Sequence, residues 1–265
     1  MQHPARGLAV IRVAVALLLL SHAVHALLHP EEIRGLGDLL SARHLPMGHG
    51  LAWSVVILQT LCSLALLAGR FMLPACLGHL LVLAVGIGLV HAPRWYVVGG
   101  ASEPGHPGAE YSALLMACLL ALLWAQVRRP QIGDGEIPSH QGLDLVRIAA
   151  AAVIAAHPLH GFAYPEGLPA FGQFLQGLGY PFGHQLVWLI LLIQTACSLA
   201  LLARRFVVPA CLGHSFILAM GIQTVHAPHW FVVGPGENGM EFSLLLIACF
   251  ISVLLAHWPR EAKGR

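Results

Sequence analysis

Charge is what this sequence has least of: Asp, Glu, Lys and Arg make up 10 % of its 265 residues, against about 25 % in a soluble domain. With 14 basic and 12 acidic side chains in a chain that is 57 % hydrophobic, a soluble fold of this size could not cover its surface, so lipid is the solvent for most of the molecule. Lysine is nearly missing, with one at position 263, and no basic run exceeds two residues. A formal net charge of +2 without a basic patch argues against a nucleic-acid partner, and the apolar content excludes disorder. The sequence has no HExxH or paired ExxH, no CxxCH, no Cys spacing for an iron–sulfur cluster and no nucleotide-binding motif. That set of absences argues against a redox enzyme complete in itself.

What is present is a series of apolar runs, at about 8–28, 49–68, 72–92, 111–127, 143–160, 184–203, 207–227 and 241–257. Each is near the 17–25 residues that carry a helix across a ~30 Å hydrocarbon core. The runs are continuously Leu- and Ala-rich, without the period-2 alternation of a membrane barrel. The expected fold is all-α: an integral membrane protein with eight transmembrane helices, arranged as two parallel-related four-helix bundles. Arg6 before a Leu-rich run and Ala-Val-His-Ala near its end imitate a secretion signal, but the same helix recurs in the chain's interior and is expected to be retained.

That recurrence is an internal repeat at an offset of 135. The segment from Gln59 to Gly99 and that from Gln194 to Gly234 are identical at roughly seven positions in ten. Arg12 matches Arg147, His22 matches His157, His25 matches His160 and His49 matches His184; after a four-residue shift Glu110 matches Glu241. The expected organisation is a first unit over 1–130, a polar Gly- and Pro-containing linker over 131–142 and a second unit over 143–265, the two packing as a pseudo-dimer. An even number of helices per unit relates the copies by an axis along the membrane normal. Eleven cationic residues, from Arg6 to Arg265, fall on one side and Arg34, Arg43 and Arg94 on the other. The excess predicts cytoplasmic termini and linker, in a bacterial-type inner membrane. On the opposite side lie two longer connections, 29–48 and 161–183; the second is aromatic and amphipathic and predicts a short interfacial helix that could lie over the helix ends.

The chain carries 17 histidines, and the repeat sorts them. His22, His25 and His29 form a stripe on the first helix, and His157 and His160 repeat its first two members. Topology brings His22, His25, His49, His91 and Glu110 to one depth, and His157, His160, His184, His226 and Glu241 to the same depth in the other half. Imidazole relays protons near pH 7 or binds metal, and a membrane carboxylate can pair with imidazolium or accept a proton. His22, His157, His91, His226, Glu110 and Glu241 are therefore candidate proton-exchanging residues, and His25, His160, His49 and His184 candidate ligand contacts. The interfacial alternative is headgroup solvation for His49 and His91 and helix capping for Glu110. Arg12 and Arg147 can snorkel to headgroups or hold an anion or quinone carbonyl; Trp95 and Trp230 can anchor at the interface or stack on a ring. His79 and His214 are isolated and are assigned to packing, as are the cysteine pairs Cys62/Cys197, Cys76/Cys211 and Cys118/Cys249.

Arg12 followed ten residues later by His22, the loop LPAFGQFLQGLGYP, the helix ends at His91 and His226, and the helix starts GAEYSALL and GMEFSLLL together resemble the DoxX family of small four-helix membrane proteins. The resemblance covers nearly the whole chain, once per half; the tandem arrangement, the histidine content and a 29–48 loop without the aromatic pattern depart from it. It implies a membrane subunit associated with quinone-linked oxidoreduction, with quinone as cofactor and a redox partner protein supplying electrons, haem or metal staying open. The competing expectation is a non-catalytic transporter or an assembly and interaction factor that uses the same pocket to bind a ligand.

Overall fold

A computed structural model describes residues 3–91, 108–132, 136–226, 229–231 and 239–259. Among these, every regular element is helical: α1 (His3–Leu28), α2 (Pro30–Ala42), α3 (Gly48–Ala68), α4 (Met72–Gly86), α5 (Glu110–Ile132), α6 (Glu136–Ala163), α7 (Leu168–Gly177), α8 (Gly183–Leu202), α9 (Val207–Gly221) and α10 (Glu241–His257). π-helical turns at Ile87–His91 and Ile222–His226 extend α4 and α9, and a 3-10 turn at Pro165–Gly167 precedes α7. Helices are the outcome the composition requires, because a segment in hydrocarbon must satisfy its own backbone donors and acceptors. Seven of them (α1, α3, α4 with its turn, α5, α6, α8 and α9 with its turn) are long and apolar enough to cross a membrane. The eighth apolar helix, α10, has 17 residues, which at 1.5 Å per residue is about 25 Å.

The helices α1, α5, α6 and α10 make the centre, with α3 and α4 bridging α1 to α5 on one flank and α8 and α9 bridging α6 to α10 on the other. Their shared core is dry and aliphatic, including Ile11, Val15, Leu114, Leu119, Ala150, Ile154, Leu245 and Phe250. The outward faces carry exposed Leu61, Leu81, Leu192, Leu199 and Phe216, the surface expected against lipid. Close contact between central helices depends on two glycines. A Cβ on Gly7 would stand 2.6 Å from the Ser252 carbonyl oxygen, and one on Gly142 would stand 2.9 Å from that of Ala121. Thus α1 nests on α10 and α6 on α5, and side chains meet across the halves as well as within them.

Both long connections hold helices. The aromatic one forms α7, as its pattern indicates; the charged one, read as a loop, forms α2. Its start is marked by Pro30 and by Glu31 and Glu32 in the first turn, and its buried Ile33, Gly37 and Leu40 face Ala52 and Val56 of α3. The expected linker over 131–142 is largely helix as well: α5 runs to Ile132 and α6 begins at Glu136. Pro138 falls in the first turn of α6, where a missing N–H costs nothing. The surface helices sit on the spans through paired glycines, with Gly37 against Gly48 and Gly172 against Gly183. A Cβ on Gly183 would run into the Gly172 carbonyl oxygen, whereas one on Gly177 would meet nothing within 4 Å. Gly183→Ala is expected to lift α7 and lower stability by about 1–3 kcal/mol, read as an earlier thermal transition in detergent and faster amide exchange in α7. Gly177→Ala should show neither change.

Candidate functional site

Under α7 lies a cavity of about 720 Å³, walled by α6, α8, α9, α10 and the π turn after α9. Leu168, Phe171 and Leu175 of α7 roof it; His157, His160, Gln194, Thr224, His226 and Ser243 are polar groups on an otherwise largely apolar wall. His157 and His160 stand one turn apart on α6 with Pro158 between them. Proline has no N–H to return to the carbonyl of Ile154, four residues earlier, and Ile154 also lines the cavity. His160 packs on Tyr164, ring centroids 4.7 Å apart. His226 reaches the cavity from the last residue of the π turn.

A second polar cluster forms where α1 meets α10. Glu241, fully buried at the first position of α10, accepts at Oε2 a 2.7 Å hydrogen bond from His22 Nε2 and a 3.0 Å hydrogen bond from the Tyr111 hydroxyl. The His22 side chain is 26 % exposed. Its ring packs on Phe231 at 4.9 Å, and Phe231 also covers His25 at 4.5 Å. Phe231 belongs to a short strap, His229–Phe231, tied to the start of α10 by Met240 N–H donating to His229 O (3.0 Å) and Glu241 N–H donating to Trp230 O (3.2 Å). The strap also reaches α1, because Trp230 Nε1–H donates to Ser21 Oγ at 3.2 Å. Gly239 is required for this arrangement, since a Cβ there would collide with the strap backbone at Trp230 and Phe231.

The expected grouping of Glu241 with His157 and His226 in one pocket is therefore corrected. Glu241 serves His22 of the first half and is not among the residues lining the cavity beside His157. The reason is the nesting of α1 on α10, which turns position 241 toward α1 while Phe242, Ser243 and Leu246 line the cavity. His49 is exposed and pairs with Asp38 at 3.4 Å, and His184 is exposed beside Gly172 and not among the cavity residues. His25 pairs with Glu32 at 2.9 Å on α2 rather than facing a pocket. On the same helix, hydrogen bonding to the backbone, and secondarily to His29, holds the Glu31 carboxyl below the ordinary carboxylate range.

Glu110 is fully buried at the start of α5, the position matching Glu241. Trp95 and the His91 side chain lie outside the described residues. Arg12 and Arg147 stand at the other end of the bundle, where each guanidinium donates to last-turn carbonyls: Arg12 to Leu66 and Leu67 of α3, Arg147 to Leu201 of α8. Arg147 also pairs with Asp144 at 3.1 Å. Their positions fit helix C-capping and are remote from the cavity. His79 and His214 are buried and share 3.2 Å hydrogen bonds with Ser63 and Ser198, the packing role expected of them. Sequence reasoning missed Tyr111 and Phe231: the matching position to Tyr111 is Phe242, so the repeat hid the hydroxyl, and nothing local showed that a strap after α9 would cross to α1.

Long apolar helices, a lipid-type exterior and polar groups gathered in the interior define an all-helical integral membrane protein. The DoxX family model matches residues 7–92, the segment holding most of α1 and all of α2 to α4, so that this segment is similar to the DoxX family. No curated protein and no solved structure matches the chain.

If the arginines act as caps, Arg147→Met removes charge-assisted bonds worth about 1.5–3 kcal/mol each. The expected result is a thermal transition lowered accordingly, with Arg12→Met somewhat milder because that side chain is less buried. Ligand bound per folded molecule, measured after detergent purification, should not change in either variant.

Proposed function

We propose that the protein is a tandem DoxX-type membrane subunit that binds a quinone, or a lipophilic ring compound of the same shape, in the cavity beneath α7, in association with quinone-linked oxidoreduction. The observation that carries this reading is the cavity itself: about 720 Å³, within the ~300–1,000 Å³ usual for small-molecule sites, apolar in most of its wall, with three imidazoles. A quinone head presents two carbonyl acceptors and a flat apolar ring. His226 and His157 can donate to the carbonyls, the α7 roof supplies the apolar cover, and an isoprenoid tail can leave between helices into lipid. Electrons come from a partner protein. In this reading α10 spans the membrane as the eighth helix, units 1–130 and 143–265 pack as a pseudo-dimer, and both termini are cytoplasmic in a bacterial-type inner membrane.

The ligand test is organic extraction of the protein purified in mild detergent, with quinone quantified by its redox difference spectrum. About one quinone per chain is expected, falling roughly tenfold in His226→Ala, the loss of about 1.4 kcal/mol of binding, and unchanged in His49→Ala. Protein that is quinone-free and binds no added short-chain benzoquinone or naphthoquinone overturns the reading in favour of a non-redox transporter or assembly factor. For the topology, reporters fused after Arg265 and within 133–135 should both read cytoplasmic; opposite sides for the two would remove the eighth span.

A further inference from the structure

We infer that His22, Glu241 and Tyr111 form a proton-exchange site at the junction of the two halves, distinct from the cavity: His22 carries protons between the outside of the bundle and the buried Glu241 carboxyl, and Tyr111 holds that carboxyl in place. The inference does not depend on what occupies the cavity. Three observations support it. The first is a gradient of access, because Glu241 is fully buried and Tyr111 is 4 % exposed while the His22 side chain is 26 % exposed. The second is geometry. His22 Nε2 lies 2.7 Å from Glu241 Oε2, within direct transfer range. The third is enclosure. The strap places Phe231 against the His22 ring at 4.9 Å, while its own backbone holds the start of α10.

The transfer balances without a co-reactant. A proton from outside adds to Nδ1 of a neutral His22 whose Nε2–H faces the carboxylate; the resulting imidazolium gives its Nε2 proton to Glu241, leaving a carboxylic acid and a neutral imidazole that keeps the proton at Nδ1, and the reverse sequence returns the proton. Among the described residues, the groups that face the carboxyl include His22 from α1, with His25 one turn beyond it, and Tyr111 from α5, with Glu110 as its chain neighbour. The other half lacks this third member. His157 and Phe242 repeat the ring geometry of His22 and Tyr111, both pairs having centroids 6.3 Å apart at 40°, yet phenylalanine supplies no hydroxyl.

The experiment is infrared spectroscopy of the full chain in lipid nanodiscs, in light and heavy water, through a pH jump. A carboxyl signal should convert between carboxylate and carboxylic acid in the wild type and vanish in Glu241→Gln. Should that variant fold poorly, Glu241→Asp identifies the same signal by its shift. Tyr111→Phe should move the acid carbonyl band to higher frequency, as one hydrogen bond is lost. His22→Gln keeps a donor against the carboxyl but cannot shuttle a proton, and should slow the conversion by about a hundredfold. An unchanged rate in His22→Gln, or no Glu241-dependent conversion at any pH where the protein stays folded, would reduce the cluster to a cross-brace and overturn the inference.

Discussion

The arrangement of polar side chains depends on one packing constraint, the close approach of α1 to α10 and of α6 to α5 at Gly7 and Gly142. In lipid there is no hydrophobic gain in pressing one apolar helix against another, so contact is decided by shape and by residues small enough to admit a neighbouring backbone. Because these glycines bring the first helix of each half onto the last helix of the other, His22 finds its carboxylate 219 residues away in sequence. Side chains that share a depth by topology are thereby divided between a cavity and a junction.

The membrane class was legible because hydrocarbon demands unbroken apolar runs of a fixed length, and among the described residues seven runs form helices long enough to span while the eighth forms a shorter apolar helix. The bonds of Arg12 with Leu66 and of His79 with Ser63 recur 135 residues later as those of Arg147 with Leu201 and of His214 with Ser198. Site membership was not legible. The central helices are apolar on nearly every face, so their sequences carry no stripe to say which neighbour each face meets. Position 241 could be assigned a depth but not a direction. The helix α2 was missed for a different reason: its charges suggested a solvated loop, although Ile33, Leu36 and Leu40 already had helical spacing.

The halves share a frame and differ in their dressing. Where α2 is tied down by imidazole–carboxylate pairs such as His25 with Glu32 and His49 with Asp38, α7 presents Phe171 and Phe174, rings suited to the edge of a bilayer. Joining both in one chain allows the polar cluster and the lipophilic cavity to diverge without the mixed assemblies that two interchangeable subunits would form.

The π turn of Ile222–His226 has a consequence for how the cavity tolerates change in chain length. A wide turn of this kind accommodates one residue more than an α-helix would in the same rise. Loss of a single residue within it would let the helix close into ordinary α geometry and keep what lies beyond nearly in phase, because four residues at about 100° each turn about as far as five in the wider helix. The same loss within the regular part of α9 would swing everything beyond by about 100°, taking the His226 ring from the cavity wall and moving the strap that begins three residues later. The turn therefore absorbs a change in residue count that the helix before it would pass on to the whole outer edge.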